Sequence, residues 1–169
     1  MRNLLLLLFV TSLFKVNAQG NTFELNSSKK SLINQFVILN KDNLSQSDGY
    51  TKIIEWIKKN YNSPENVIKS TIENDYIKIN CYSAELTNFN YDGKTTSMDG
   101  NYTLTFEFKP NKIKIEIISL NRVFNGRTID FANAPNKLYS IAYKEIPKTI
   151  NNIVSEINNY INNDTEDDW

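Results

Sequence analysis

The chain has 169 residues, 40% of them hydrophobic and 22% charged, a profile of one globular domain rather than a disordered segment or a repeat array. Nineteen basic and nineteen acidic side chains cancel, so no strong field draws the molecule toward nucleic acid. A single cysteine closes no internal disulfide, and the absence of histidine removes imidazole base catalysis and histidine metal ligation.

Met1-Arg2-Asn3 stand before an apolar run from Leu4 to Phe14, and Lys15-Val16-Asn17-Ala18 follow it. A basic start, a short apolar stretch and a Val-x-Ala end are the three parts of a secretory signal peptide. The run falls short of the ~20 residues that span a bilayer, so a cut after Ala18 is expected. Loss of residues 1–18 removes Arg2 and Lys15 and leaves 151 residues with 17 basic and 19 acidic side chains, a net charge of −2. No cysteine follows the run to carry a lipid, and no later segment is apolar for long enough to cross a membrane. The reading is a protein exported to the periplasm or the exterior and soluble there. Asparagine occupies 26 positions, scattered through the chain, which reads as nucleotide bias rather than as a site.

A compact apolar run, Gln35 to Leu39, is expected as the first strand, with Phe23 to Leu25 as a short extra strand before it. Ser45 stands three residues before Asp48 like a capping box, and Tyr50, Ile53, Ile54, Ile57 and Tyr61 then recur at helical spacing. This predicts a first helix that ends near Pro64 and carries Trp56 on its flank. Two hairpins follow. A two-residue turn at Asn74-Asp75 would pair Ile72 with Ile77, Ser70 with Ile79 and Ile68 with Cys81. A turn at Pro110-Asn111 pairs Phe108 with Ile113, Phe106 with Ile115, Leu104 with Ile117 and Glu107 with Lys114. Leu86 to Gly100 is expected as a polar loop between the hairpins. A last helix starts at Ile146 with Pro147 in its first turn, and carries Ile150, Ile153, Val154, Ile157, Tyr160 and Ile161. Residues 121–144 read as an insertion before it, and residues 164–169 as an acidic tail.

This order, β-α-β-β-β-β-α, describes an α+β domain in which an antiparallel sheet carries two helices on one face. With it, the chain resembles domain of unknown function 4468, a family of exported bacterial proteins with a fold like that of the TATA-box-binding protein (TBP). The resemblance runs from about Gln35 to Arg122. It rests on the tryptophan helix Tyr50 to Tyr61, the Ser63-Pro64-Glu65-Asn66-Val67-Ile68 segment and the hairpin Tyr102 to Ile118. Where that family usually has Gly-Lys-Tyr-Arg at the last hairpin turn, this chain has Asn111-Lys112-Ile113-Lys114. It implies a TBP-like core over about 35–163 within a single domain of residues 19–163, and no catalytic residue.

Cys81 shares a strand face with Ile77 and Ile79 and reads as an inert core thiol. Asn90, Asp92 and Asp99 lack the alternating acidic spacing of a calcium loop. No cofactor or metal is expected. The sheet's other face presents lysines, threonines and glutamates, and Lys78, Tyr82 and Lys114 are its candidate ligand-binding residues. Placing the first strand beside the last gathers Val37 or Leu39 near Ile118 at one edge of that face, with residues 121–144 folded over it as a lid. TBP uses such a face on DNA with inserted phenylalanines. Here the phenylalanines fall on the other face and the charge is not basic, so nucleic acid is excluded as a partner. The reading is a non-enzymatic binding or structural module of the cell envelope, with an envelope protein, peptide or glycan as partner. The alternative is a periplasmic hydrolase whose carboxylate chemistry comes from residues 121–144, assisted by Arg127 and Asp130. Export predicts that the mature protein begins at Gln19. Intact-mass measurement of the secreted form checks this, and a mass retaining residues 1–18 contradicts it.

Overall fold

The structure is a computed structural model that describes residues 22–26, 31–32, 34–124, 127–130 and 137–163. The expected signal peptide at residues 1–18 and the acidic tail at 164–169 lie outside the described residues. Strands β1 (Leu25–Asn26) and β2 (Ser31–Leu32) pair with each other, a small ribbon where the sequence predicts one short strand. The main sheet joins β3 (Phe36–Asn40), β4 (Ile68–Ile72), β5 (Tyr76–Tyr91), β6 (Lys94–Lys109), β7 (Lys112–Phe124) and β8 (Arg127–Asp130). Its order is β3-β7-β6-β5-β4, all neighbours antiparallel, and β8 also pairs with β7.

Helix α1 (Gln46–Asn60) starts where its sequence asks it to. The Ser45 hydroxyl accepts from the Asp48 N–H at 3.0 Å, satisfying one of the open donors of the first turn. A four-residue helix, α2 (Pro64–Val67), leads into β4, and α3 (Lys137–Asn162) closes the chain. The apolar stripes of α1 and α3 cover one face of the sheet over Ile77, Ile79, Leu104, Phe106, Ile113 and Ile115, each fully buried.

The Pro110-Asn111 hairpin has the predicted register throughout, Phe108 against Ile113, Phe106 against Ile115 and Leu104 against Ile117. Asn111 takes the left-handed turn position (φ 64°), and the preceding loop clasps the turn. Lys41 N–H donates to the Asn111 carbonyl, and Asn111 N–H donates to the Leu44 carbonyl at 2.8 Å.

Elsewhere the structure corrects the sequence reading. In the first hairpin Ile72 pairs with Tyr76, Thr71 with Ile77 and Ile68 with Ile79. The turn takes three residues, Glu73 to Asp75, with Asn74 left-handed (φ 61°), and a bulge at Lys69 brings Ile68 back inward. Ile72 therefore lies on the outer face, 60% exposed. Across from Cys81 stands Tyr102, not Ile68. The expected loop at 86–100 is the far half of a long hairpin, where Asp92 and Gly93 both have positive φ and make its two-residue turn. Leu86, Phe89 and Met98 on that half are buried.

Trp56 is also buried. Its flank of α1 faces α3, where Lys59 Nζ stands 5.7 Å from the Tyr160 ring centre. Pro147 sits well inside α3, because Ala142, Tyr143 and Ile146 continue the apolar stripe upstream of it. Burial at about 1.5–3 kcal/mol per large side chain outweighs a proline cost of about 3 kcal/mol. Residues 121–144, read as an inserted lid, divide instead between the end of β7, β8 and the start of α3, with 125–126 and 131–136 outside the described residues. Val37 and Leu39 face the core rather than an apolar edge of the open face.

Gly100 marks the tightest approach. A Cβ there would meet the Asn121 carbonyl oxygen at 2.5 Å and Leu86 Cδ2 at 2.6 Å, and a main-chain oxygen held in a sheet cannot yield. Gly100→Ala is expected to destabilise the protein by about 1–3 kcal/mol, read as a lower urea midpoint. Gly93→Asn, at a turn with nothing within 4 Å, is expected to move it much less.

Candidate functional site

The face of the sheet away from the helices is built of cross-strand rows, each set by register. One row runs Ile38, Lys114, Glu107, Tyr76 and Ile72, and the next runs Phe36, Glu116, Thr105, Lys78 and Ser70. A third joins Ser119, Thr103 and Asn80, and a fourth joins Asn121, Asn101 and Tyr82. The polar groups in these rows largely satisfy each other. Lys114 Nζ lies 3.0 Å from a Glu107 oxygen and 2.9 Å from a Glu116 oxygen. Asn80 Nδ2 and Ser119 Oγ both donate to Thr103 Oγ1, at 2.8 and 2.9 Å. Tyr82 donates its hydroxyl proton to Asp99 at 3.1 Å.

The three candidate residues all stand on this face, but they do not converge. Lys78 lies one row and two strands from Lys114, and Tyr82 lies two rows further along β5 than Lys78. At about 7 Å per row and about 4.8 Å per strand, Tyr82 and Lys114 are on the order of 20 Å apart. The ring beside Lys114 is Phe36, with Nζ 4.9 Å from its centre. The hydrogen bond to Glu116 holds the Lys114 ammonium above its usual range, against the opposing effect of burial. The Asp99 bond raises the Tyr82 phenol. A shallow hollow of about 240 Å³ lies at the Lys114 end, lined by Ile38, Glu107, Lys109, Lys112 and Lys114. Lys109 and Lys112 are exposed and directly opposite each other, an unfavourable pairing of like charges at the hairpin's end.

With the sheet order and this face in view, the comparison with solved structures is informative. A TBP-like protein from Parabacteroides distasonis ATCC 8503 superposes with a TM-score of 0.59 at 13% identity, over 76% of this chain and 91% of its own. A DUF4468 family protein from Bacteroides ovatus ATCC 8483 gives 0.58 at 12% identity, over 85% and 91%. The fold is TBP-like. No family model matches the sequence, and no curated relative does. The TBP-like likeness therefore carries architecture and leaves chemistry to this chain's own residues.

In the hydrolase segment Arg127 is exposed and the main chain of β8 pairs with β7, and no observation among the described residues favours that alternative. No group of three or more His, Cys, Asp or Glu side chains is placed to hold a metal among the described residues. Asp92 makes the β5–β6 turn and Asp99 serves Tyr82, which accounts for two of the residues weighed as calcium ligands.

The buried side of the sheet holds a titratable cluster that sequence spacing did not reveal. Tyr61, at the C-cap of α1, places its hydroxyl 2.9 Å from that of Tyr102, and Cys81 lies against both. Trp56 packs edge-on against the Tyr61 ring, at 5.7 Å between centres. Burial is the main cause that pushes both phenols and the thiol upward. They stay protonated in the fold while the unfolded chain ionises from the ordinary values of 9.0 for the thiol and 10.0 for the phenols. The unfolded state then binds fewer protons, so this contribution is complete below about pH 9 and is lost as pH rises. Urea titrations between pH 7 and pH 11 are expected to show falling stability above pH 9–10, with a shallower alkaline limb in the Tyr61→Phe, Tyr102→Phe double variant.

Proposed function

We propose that the protein is an exported, non-enzymatic binding module of the bacterial cell envelope, and that it engages its partner through the Lys109–Lys112 end of the open face. The observation that supports this reading is the contrast within that face. Its central polar groups pair with one another, whereas Lys109 and Lys112 oppose each other in water beside the apolar side chain of Ile38. A carboxylate or phosphate of an envelope component would relieve that repulsion, and the hollow beside it offers apolar contact. Lys114 supports the site as a neutralised strut between two glutamates rather than as a cation for the partner. The inward-facing Phe106 and Phe108 and the cancelled charge speak against nucleic acid. Among the described residues no helix is long and apolar enough to cross a membrane.

The test is capture from envelope extract with the secreted protein as bait. Lys109→Glu with Lys112→Glu is expected to leave the melting temperature within a few degrees, since solvent-face changes cost about 0.5 kcal/mol or less. The same pair is expected to abolish recovery of the partner that the unaltered protein retains. Recovery unchanged by the charge reversal would overturn the placement of the site.

A further inference from the structure

The outer edge of β3, the C-terminal half of α3 and Thr22 enclose a cleft of about 490 Å³, which shares Ile38 with the hollow at Lys109 and Lys112. Main-chain bonds from Lys41 to Asn111 and from Ile117 to Gln35 turn the odd-numbered residues of β3 toward β7. In an antiparallel pair the alternate residues point the other way, so the N–H and C=O groups of Ile38 and Asn40 face outward along the cleft wall. Among the described residues no strand pairs with that edge.

The opposite wall is a stripe of α3 bearing Ser155, Asn158 and Asn162, positions that recur on one side of a helix. One turn earlier on the same stripe, Asn151 already grips an extended segment by its main chain. Phe23 N–H donates to Asn151 Oδ1 at 2.7 Å, and Asn151 Nδ2 donates to the Phe23 carbonyl at 2.9 Å. A carboxamide carries the donor and acceptor of a peptide unit, which is why one asparagine satisfies both groups of one residue. Further along, Asn162 Nδ2 donates to Asn158 Oδ1 at 3.0 Å. The bond leaves both amide N–H groups of Asn158 and the carbonyl oxygen of Asn162 for the cleft. Leu39 and Val154 form an apolar floor, and among the described residues no ionisable side chain lines the space. Lys41 Nζ donates to the Ile161 carbonyl at 2.6 Å and ties the strand's end to the helix.

We propose that this cleft takes an extended, uncharged polypeptide segment of a partner protein by strand addition to β3, with the α3 asparagines bonding the segment's far side as Asn151 bonds Phe23. Main-chain groups of β3 supply the ladder, and the floor receives alternate side chains. The strand spacing of the donors and acceptors favours a peptide over a glycan, whose hydroxyls do not repeat in that way. The site adjoins the Lys109–Lys112 surface at Ile38 but uses the outward main chain of β3, so it does not need those lysines.

The probe is a capped hexapeptide of alternating threonine and valine, added to the full secreted protein and followed by amide hydrogen exchange. At saturation the Ile38 and Asn40 amides are expected to slow by about tenfold, while amides at the β4 edge do not change. Asn158→Leu with Asn162→Leu, and separately Asn40→Pro, are each expected to remove the slowing at an unchanged melting temperature; proline is tolerated where an edge N–H points out of the sheet. Lys109→Glu with Lys112→Glu is expected to leave it intact, which separates this site from the open-face reading. The proposal is overturned by no slowing, by equal slowing at β4, by slowing only with an N-acetylglucosamine trimer, or by amides already protected without the probe.

Discussion

Strand β6 imposes the constraint on which the rest of the fold depends. From Met98 to Phe108 its even-numbered residues, Gly100 among them, all point into the core, and its odd-numbered residues form the open face. Strands β5 and β7 pair with it on either side, so its alternation decides which of their residues are buried. A one-residue slip would send Tyr102, Leu104, Phe106 and Phe108 to water together. At about 1.5–3 kcal/mol per large apolar side chain, that loss rivals the whole stability of a typical domain, so the register has no close competitor. Where a neighbour changes face, it does so through a bulge. One extra residue in β7 between Ile117 and Ser119 leaves Ile118 half exposed, turns Ser119 out to bond Thr103, and lets Leu120 pack on the core side.

This constraint also explains which parts of the fold are legible in the sequence. The β6–β7 hairpin is readable because unbroken alternation on both strands meets a short turn, so local pattern and tertiary register agree. The β4–β5 pairing is read one residue out beside the turn, and two beyond the bulge, because Glu73-Asn74-Asp75 admits either a two- or a three-residue turn. Only the bulge at Lys69, which compensates for the longer turn, separates the two. Asp92-Gly93 is a strong turn signal hidden by its setting, since the flanking strands are mostly polar in sequence and bury only scattered apolar side chains such as Leu86, Phe89 and Met98. Pro147 marks a plausible helix start in isolation; packing of Ala142 and Tyr143 moves the start upstream, and no local signal records that.

The candidate surface is legible to the same degree and for the same reason. Its membership follows from alternation, so Lys78, Tyr82 and Lys114 do lie on one face. Their separation and their partners depend on strand order, which is nonlocal. Phe36 meets Lys114 because β3 returns to the outside of β7, far from it in the chain. The cleft beside β3 is less legible still, since its walls are more than a hundred residues apart in sequence. Asparagines that compositional bias scatters without apparent pattern acquire meaning only when a helix lines them up beside an open strand edge.

The TBP-like architecture and the surface chemistry point in different directions, and the difference is physical. A sheet that bends DNA through its minor groove needs apolar rings to wedge between base steps and cations to meet phosphate. Among the phenylalanines whose side chains are described, only Phe36 stands on the open face, and it lies beneath the Lys114 ammonium. That ammonium is in turn held between Glu107 and Glu116, whose carboxylates would repel a phosphate brought to the same place. Across the middle of the face the Asn80, Thr103 and Ser119 side chains use their bonding capacity on one another, which removes the incentive to desolvate them for a ligand. The groups left unsatisfied within the sheet stand at its rim: the opposed lysines at the hairpin's end and the outward main chain of β3. A TBP-like fold sets the architecture, while the chemistry that the sheet's margins present belongs to this chain's own residues.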